Sequence, residues 1–205
     1  MEILLFFKAA LIGLSIAAPV GPVGLLCIQR TLAHGTRIGF VSGLGAAAAD
    51  GCYGAIGAFG LSALTQSFVA LTIPLTIAGA GFLAWMGVQT WRAPLTQRSA
   101  DAPDSVRAGK AFVTVFALTL TNPMTILSFI AVFAAIGGRA APDIQAASLM
   151  VLGVFVGSAL WWLTLAFGVA AVRHKISPQH MRLINRAAGF FLIAFAAWQL
   201  LGLLR

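Results

Sequence analysis

Charged residues are scarce in this chain. Of its 205 residues, 9% are Asp, Glu, Lys or Arg, whereas 60% belong to the hydrophobic types. A soluble domain typically has about 25% charged residues, because water has to solvate its surface. The shortage excludes an ordinary soluble domain and predicts that most of the chain's surface faces lipid.

The chain also lacks the patterns that hold metals, disulfides or nucleotides. Its two cysteines, Cys27 and Cys52, form no CxxC pair and have no histidine at zinc-site spacing. Gly109-Lys110 is followed by Ala111 and lacks the upstream glycine of a nucleotide-binding P-loop. We therefore expect no cofactor, no bound metal, no ATP-driven step and no enzymatic activity.

The basic charges do not suit a nucleic-acid partner. The net charge is +8, but Lys and Arg cluster in short connections between apolar segments, not along one face of a soluble element. Basic loops on one side of a bilayer account for the same excess. The expected partner of this chain is the lipid bilayer, with no nucleic acid.

Six apolar segments are long enough to cross a hydrocarbon core of about 30 Å, which takes roughly 20 residues. The N-terminal stretch carries Glu2 and Lys8 and has no cleavage site, so we interpret it as the first membrane segment, not a signal peptide. The predicted fold is an all-α integral membrane protein, a single transmembrane domain over 1–205 with six transmembrane helices. The segments are Ile3–Ile28, Ile38–Leu64, Phe68–Trp91, Ala111–Ile136, Ala146–Val172 and the shortest, Ala187–Leu204.

The distribution of Lys and Arg predicts the orientation of these segments. With six crossings, ten of the 13 Lys and Arg residues lie on one side of the membrane and three on the other. The positive-inside rule places the ten in the cytoplasm, together with the polar linker 92–110. Both termini then lie outside the cytoplasm, and the expected location is the cytoplasmic (inner) membrane.

Asp50 lies near the centre of the second segment, and no other Asp, Glu, Lys, Arg or His lies between Ile38 and Leu64. A charge at mid-bilayer depth costs roughly 2.5–3.5 kcal/mol on translocon insertion scales, and such residues mark substrate and ion pathways. Asp50 is therefore the first candidate for a binding or coupling residue. The alternative is an aspartate that is hydrogen-bonded to backbone at a helix break and has only a structural role.

Two segments contain helix-breaking prolines at corresponding places. Segment one has Pro19-Val20-Gly21-Pro22, and segment four has Asn122-Pro123. Each opens a set of three segments, so the sets at about 1–91 and 111–205 cross the membrane in opposite senses. The prediction is two inverted three-helix repeats with broken helices 1 and 4, in which the breaks bind the solute. The break residues Pro19, Gly21, Pro22, Asn122 and Pro123 thus join Asp50 as candidates.

Further polar and aromatic candidates lie beside the breaks or deep in segment five. Ser15 and Thr121 are candidates for polar contacts, although hydroxyls within helices often bond their own backbone. Trp161 and Trp162 lie away from the ends of segment five, and one of them, for which we take Trp161, is expected to face a central cavity. Rows of glycine suit close helix contacts within one chain or between copies in a homo-oligomer.

These motifs together resemble the LysE/RhtB amino-acid exporter family. The family pairs a Pro-Gly-Pro element in segment one with a Gly-rich second segment that closes on a small residue and Asp, here Ala49-Asp50. Its fourth segment carries Asn-Pro-Lys, here Asn122-Pro123-Met124. Two departures are the extra Val20 within the first element and Met124 in place of Lys. The resemblance implies export of amino acids or related small solutes, driven by an ion gradient.

A mechanism follows as a hypothesis. Burial in a low dielectric disfavours the carboxylate form of Asp50, so this residue can bind a proton from outside and the substrate or its ammonium group from inside, in exchange. The chain would then be a secondary transporter working by proton antiport. The alternative function is efflux of metal ions or other small solutes within the same superfamily. A metal site would require more carboxylate, His or Cys ligands in the membrane segments than this sequence has. A thiol-disulfide carrier would need a Cys beside each break, and segment four has none.

Overall fold

The computed structural model describes residues 2–19, 21–59, 71–92, 104–122, 124–129, 144–175 and 178–203, and every regular element in these ranges is helical. Residues 124–129 form a short helical segment, and Arg173–Lys175 form a 3-10 turn. The longer helices are α1 Glu2–Ala17, α2 Pro22–His34, α3 Thr36–Ala58, α4 Thr72–Trp91, α5 Asp104–Leu120, α6 Ile144–Val172 and α7 Pro178–Gly202.

Segment one is two helices, not one. The chain leaves α1 after Ala17 and enters α2 at Pro22, and the axes of α1 and α2 differ by 82°. Proline at the first position of a helix loses no hydrogen bond, because the first amides have no helical acceptor anyway. Gly35 then turns the chain into α3 with a φ of 94°, a conformation that side chains other than glycine rarely adopt.

The third helix lies at the centre of the molecule. It packs against α2, α5 and α6, and 13 of its 23 residues are buried. It runs antiparallel to α6, because Gly43 lies against Trp162 and Gly54 against Val154. Glycine and alanine let these helices approach closely, as is common between membrane helices.

The outer helices complete the bundle in pairs, α1 on α6 and α4 on α7. Large apolar side chains cover the outside of these pairs, among them Ile3, Leu4, Phe7, Leu11, Ile73, Ile77, Phe167 and Phe190. Exposing such an apolar surface to water would be unfavourable, whereas its contact with lipid chains is not. The chain is therefore a multi-pass membrane protein whose apolar surface faces the bilayer.

Three of the described helices are long and apolar enough to cross a membrane, namely those over 73–91, 144–175 and 179–202, and a fourth is added if α1 and α2 count as one bent span. The prediction of six spans is therefore not confirmed. The central helix α3 is not among these candidate spans, because it carries Arg37 and Asp50 among many glycines and alanines and is therefore less apolar. A helix enclosed by other helices does not need an apolar residue at every position. In α5 the apolar part, Ala108–Leu120, is short.

Some boundaries differ from those predicted. The last helix begins at Pro178, not near 187, because its first turns carry Arg182 and Arg186 and extend beyond the apolar stretch. The predicted linker 92–110 is helical from Asp104 onward, and its residues 93–103 lie outside the described ranges. The parts of the predicted segments at 60–70 and 130–143 also lie outside them, and the inverted repeat stays a prediction.

Gly157 tests the close contact between α1 and α6. A methyl group at Gly157 would overlap the backbone of Ala10, whereas one at Gly168 in the same helix would meet nothing within 4 Å. We expect Gly157→Ala to lower the free energy of unfolding by about 1–3 kcal/mol, because overpacking displaces helices. Gly168→Ala should be neutral or slightly stabilising, since alanine is the better helix former. Thermal unfolding in detergent compares the two; equal stabilities would show that α1 and α6 are not in close contact.

Candidate functional site

A cavity of about 310 Å³ lies where the break between α1 and α2 meets α3, α5 and α6. Its volume is at the lower end of the range for small-molecule pockets, roughly 300–1,000 Å³. Five of the predicted site residues line it together: Pro19, Gly21, Pro22, Asp50 and Asn122. The other lining residues are Ile16, Ala17, Val23, Gly24, Ala46, Thr119, Met124, Thr125, Ser128, Trp162 and Phe195.

Asp50 is held in this cavity by neutral partners. Its side chain is 3% exposed, and Ser158 Oγ donates a hydrogen bond of 2.7 Å to its Oδ2. Trp162 Nε1 in turn donates to Ser158 Oγ at 3.2 Å, one helical turn further along α6. In the part of the chain that the structure describes, Asp50 forms no ion pair. The hydrogen bond from Ser158 therefore fixes the position of the carboxylate in the cavity wall.

The break in segment four is stabilised by groups from two sides. Asn122 accepts hydrogen bonds from the start of the next helical segment, with its Oδ1 from Met124 N at 3.1 Å and with its backbone oxygen from Ile126 N at 3.2 Å. Tyr53 donates its hydroxyl to Leu120 O at 2.6 Å. The last carbonyls of a helix have no helical partner, so the Tyr53 bond satisfies one of them inside the membrane. Asn122 is thus a helix cap as well as a residue that lines the cavity.

The break in segment one places the uncapped start of α2 at the cavity. Gly21 precedes α2 without any side-chain cap, and Pro22 has no amide hydrogen. The first amides of a helix, here those of Val23 and Gly24, have no helical acceptor. Both residues line the cavity. They give the cavity a region of positive potential without a charged side chain.

The remaining predicted residues take other positions. Ser15 is exposed on α1, and Thr121 Oγ1 donates to Ala117 O at 3.0 Å within its own helix. Trp161 packs partly buried against the core, whereas its neighbour Trp162 is 5% exposed and lines the cavity. Pro123 lies outside the described residues.

The sequence predictions omitted four hydroxyl residues that line or organise the cavity, namely Thr119, Thr125, Ser128 and Ser158. Ser158 binds Asp50, and Thr119 lines the cavity from α5. Ser158 stands out only as a hydroxyl in an otherwise apolar part of α6, four residues before Trp162. In the sequence, residues 14–19 can be laid over residues 118–123, which pairs Ser15 with Thr119, and this pairing was the available signal for Thr119.

Arg30 ties the helices together away from the cavity. Its Nη1 donates to Ser42 Oγ at 3.1 Å and to Ala111 O at 3.0 Å, which joins α2 to α3 and α5. Ser42 Oγ also donates to Ile38 O at 2.8 Å. These bonds hold the end of α2 that lies away from the cavity. Pro22 begins the helix at the cavity, so the position of α2 is set at both ends.

The arrangement suits reversible binding of a small polar solute. It combines one carboxylate, several hydroxyls, free amides and apolar walls. Among the described residues, no group of three or more His, Cys, Asp and Glu could hold a metal ion. Cys27 is buried and Cys52 is exposed, and neither lines the cavity.

Comparison with known proteins places the chain in a family. The sequence model of the LysE type translocator family matches residues 14–202. The chain is 30% identical to "Putative amino acid efflux protein YcgF" of Bacillus subtilis, over 93% of this chain and 92% of YcgF. It is 31% identical to the chemotactic transduction protein ChpE of Pseudomonas aeruginosa, over 97% and 98% of the two chains.

A further relative is the arginine exporter protein ArgO of Photorhabdus laumondii. It is 30% identical to this chain, over 95% of this chain and 91% of ArgO. No solved structure matches the chain.

Cysteine labelling tests whether the cavity is open to water. In a background in which Cys27 and Cys52 are replaced by Ala and Ser, we expect Thr119→Cys to react with a small polar thiol reagent. Val115→Cys, one turn earlier in α5, should stay unlabelled, because Val115 is fully buried in the core. Mass spectrometry of the purified variants measures the labelled fraction. Equal labelling of the two variants would contradict the described cavity.

Proposed function

Because this chain belongs to the LysE type translocator family, we propose that it exports amino acids or related small solutes in exchange for protons. Asp50 is the coupling residue in this proposal. The observation that carries it is a single carboxylate, buried in a cavity that is bounded by both chain interruptions and that has no Lys, Arg or His among its described lining residues. The names of YcgF and ArgO, with amino acid efflux and arginine export, support the class of solute.

Exchange follows from the chemistry of one carboxylate. The oxygens of Asp50 can take up a proton or pair with an ammonium group, and either event removes the cost of a bare charge in a low dielectric. Because the two events exclude each other, loading the solute from one side expels the proton that came from the other. A ligand that binds one protonation state better than another shifts the equilibrium between them.

Ser158 suits both states of this cycle. Its hydroxyl donates to the carboxylate in the structure, and a hydroxyl can also accept a hydrogen bond from a protonated carboxyl group. The bond from Trp162 Nε1 keeps Ser158 in place in either case. We assign to Pro19, Gly21, Pro22, Asn122 and Pro123 the role of exposing backbone groups to the solute, as interrupted helices do in transporters.

The other predicted residues keep subordinate roles in the proposal. Ser15, Thr121 and Trp161 do not line the described cavity, so a contact with solute would require a different state of the transport cycle. The location is the cytoplasmic (inner) membrane with both termini outside the cytoplasm, which rests on the distribution of Lys and Arg. The rows of glycine suit close helix contacts between copies of the chain as well as within it, so they are compatible with a homo-oligomer.

Asp50→Asn tests the coupling role. Asparagine can still accept the hydrogen bond from Ser158, so the fold should survive, but it can neither bind a proton nor pair with an ammonium group. In inside-out vesicles with an acidic lumen, we expect uptake of labelled amino acids to fall to the level of vesicles without the protein. The matched control is Asp104→Asn, the same chemical change at the first residue of α5, which should leave uptake unchanged.

Melting temperature in detergent separates loss of function from loss of fold in this experiment. If Asp50→Asn melts like the wild type and still accumulates solute at the normal rate under a pH gradient, Asp50 has a structural role only. A panel of competing solutes in the same vesicles then identifies the exported class.

A further inference from the structure

We propose that the cavity contains a carboxylate-binding subsite formed by the start of α2 and the hydroxyl of Thr119. Together with Asp50, this subsite would select an α-amino acid in its zwitterionic form with an uncharged side chain. The inference rests on the proposed export of amino acids and names the class of amino acid. Three observations carry it: the uncapped start of α2 at the cavity, the unpaired hydroxyl of Thr119 and the charges of the cavity wall.

The start of α2 supplies donors for an anion. The 13-residue helix begins at Pro22 with no side-chain cap, and its N-cap Gly21 and first three residues, Pro22 to Gly24, all line the cavity. The amides of Val23 and Gly24 have no helical acceptor, and the helix dipole adds positive potential at this end. A helix start of this kind is a common binding site for carboxylates and phosphates.

Thr119 supplies the second, independent observation. It is 4% exposed, lines the cavity, and its Oγ1 has no hydrogen-bond partner among the described residues. Thr114 in the same helix and Thr121 directly after its end direct their hydroxyls to the backbone of this helix, to Lys110 O at 2.6 Å and Ala117 O at 3.0 Å. Thr119 does not satisfy itself in this way. A buried polar group without a partner costs roughly 1–3 kcal/mol, and a ligand oxygen would remove that cost.

The location of Thr119 distinguishes it from similar residues. Two other buried residues have unpartnered polar side-chain atoms within the described ranges, Asn185 and Gln199. Both lie on α7, and neither lines the cavity. Of the three, Thr119 is the residue that a solute in the cavity can reach.

The charges of the cavity wall define what the solute carries. Among the described residues, no Lys, Arg or His lines the cavity, so a solute carboxylate would find its donors in the α2 amides and Thr119. Asp50 is the one acidic residue among the lining residues, and it can neutralise one ammonium group. The rest of the wall includes Ile16, Val23, Trp162 and Phe195, which suit an apolar side chain.

A second positive charge on the solute would find no second acidic side chain among the described residues that line the cavity. The four other acidic residues of the chain are Glu2, Asp101, Asp104 and Asp143. Glu2 and Asp104 are the first residues of α1 and α5, and Asp101 and Asp143 lie outside the described ranges. Burying an unpaired charge costs several kcal/mol, enough to exclude a dibasic amino acid from this cavity.

Four probes that differ by one functional group test the inference on the purified wild-type protein in detergent. L-norleucine carries both groups, pentan-1-amine lacks the carboxylate, hexanoate lacks the ammonium group, and L-lysine adds a second ammonium group. Isothermal titration measures their dissociation constants. We expect norleucine to bind at least tenfold more tightly than each of the others, because each of the others leaves one charged group or one subsite unpaired.

Thr119→Val isolates the hydroxyl with almost no change in shape. We expect it to weaken norleucine about tenfold, as for a hydrogen bond to a charged group, and to leave pentan-1-amine unchanged. Thr114→Val, whose hydroxyl bonds its own helix, is the matched control and should bind norleucine like the wild type. If Thr119→Val weakens both probes equally, Thr119 does not contact the carboxylate and the subsite is wrong.

The outcomes separate this inference from the proposed function. If lysine binds as well as or better than norleucine and is taken up by inside-out vesicles, amino acid export stands but the assigned specificity is overturned. If pentan-1-amine binds as tightly as norleucine, the carboxylate subsite is overturned. If none of the probes binds and no amino acid is taken up, both the inference and the proposed function fail.

Discussion

A carboxylate buried among helices loses its hydration, and Asp50 recovers part of that loss from one neutral donor, the Ser158 hydroxyl at 2.7 Å. A buried carboxylate paired with arginine or lysine would be a permanent ion pair. A carboxylate that has only a hydroxyl partner remains available to a proton or to a solute cation. The other features of the cavity, namely the start of α2 and the close helix packing, place Asp50 beside backbone groups without cancelling its charge. Their role in binding a solute depends on this incomplete neutralisation.

The packing of small residues makes this arrangement possible. A methyl group at Gly43 would overlap Trp162, so the glycine lets the indole lie against α3 where its Nε1 can reach Ser158. The start of α2 reaches the cavity because Pro22 begins the helix there and Arg30 anchors its other end to α3 and α5. Helix spacing, and not a long-range charge interaction, thus sets the geometry of the site.

Much of this was predictable from the sequence, and the exceptions have physical causes. Prolines predicted the break in segment one and the irregular backbone at Asn122, because a missing amide interrupts any helix. The isolation of Asp50 in an apolar segment predicted a buried site. The sequence did not predict which side chains face inward. Ser15 and Thr121 were chosen because they lie close to the breaks in the sequence. The rotation of α5 about its axis instead brings Thr119 to the cavity. The choice between Trp161 and Trp162 depended in the same way on the rotation of α6. The six predicted spans are not confirmed by the described helices, in part because α3 owes its burial to neighbouring helices and not to its own hydropathy.

The central claim is that one carboxylate, that of Asp50, binds a proton or a solute ammonium group but not both. Proton release on binding measures this directly, in weakly buffered detergent solution at mildly acidic pH with a pH indicator or two buffers of different ionisation enthalpy. The account predicts that an amino acid releases up to one proton per molecule bound to the wild-type protein, and none from Asp50→Asn. Binding of the amino acid to the wild type without any proton release would contradict it.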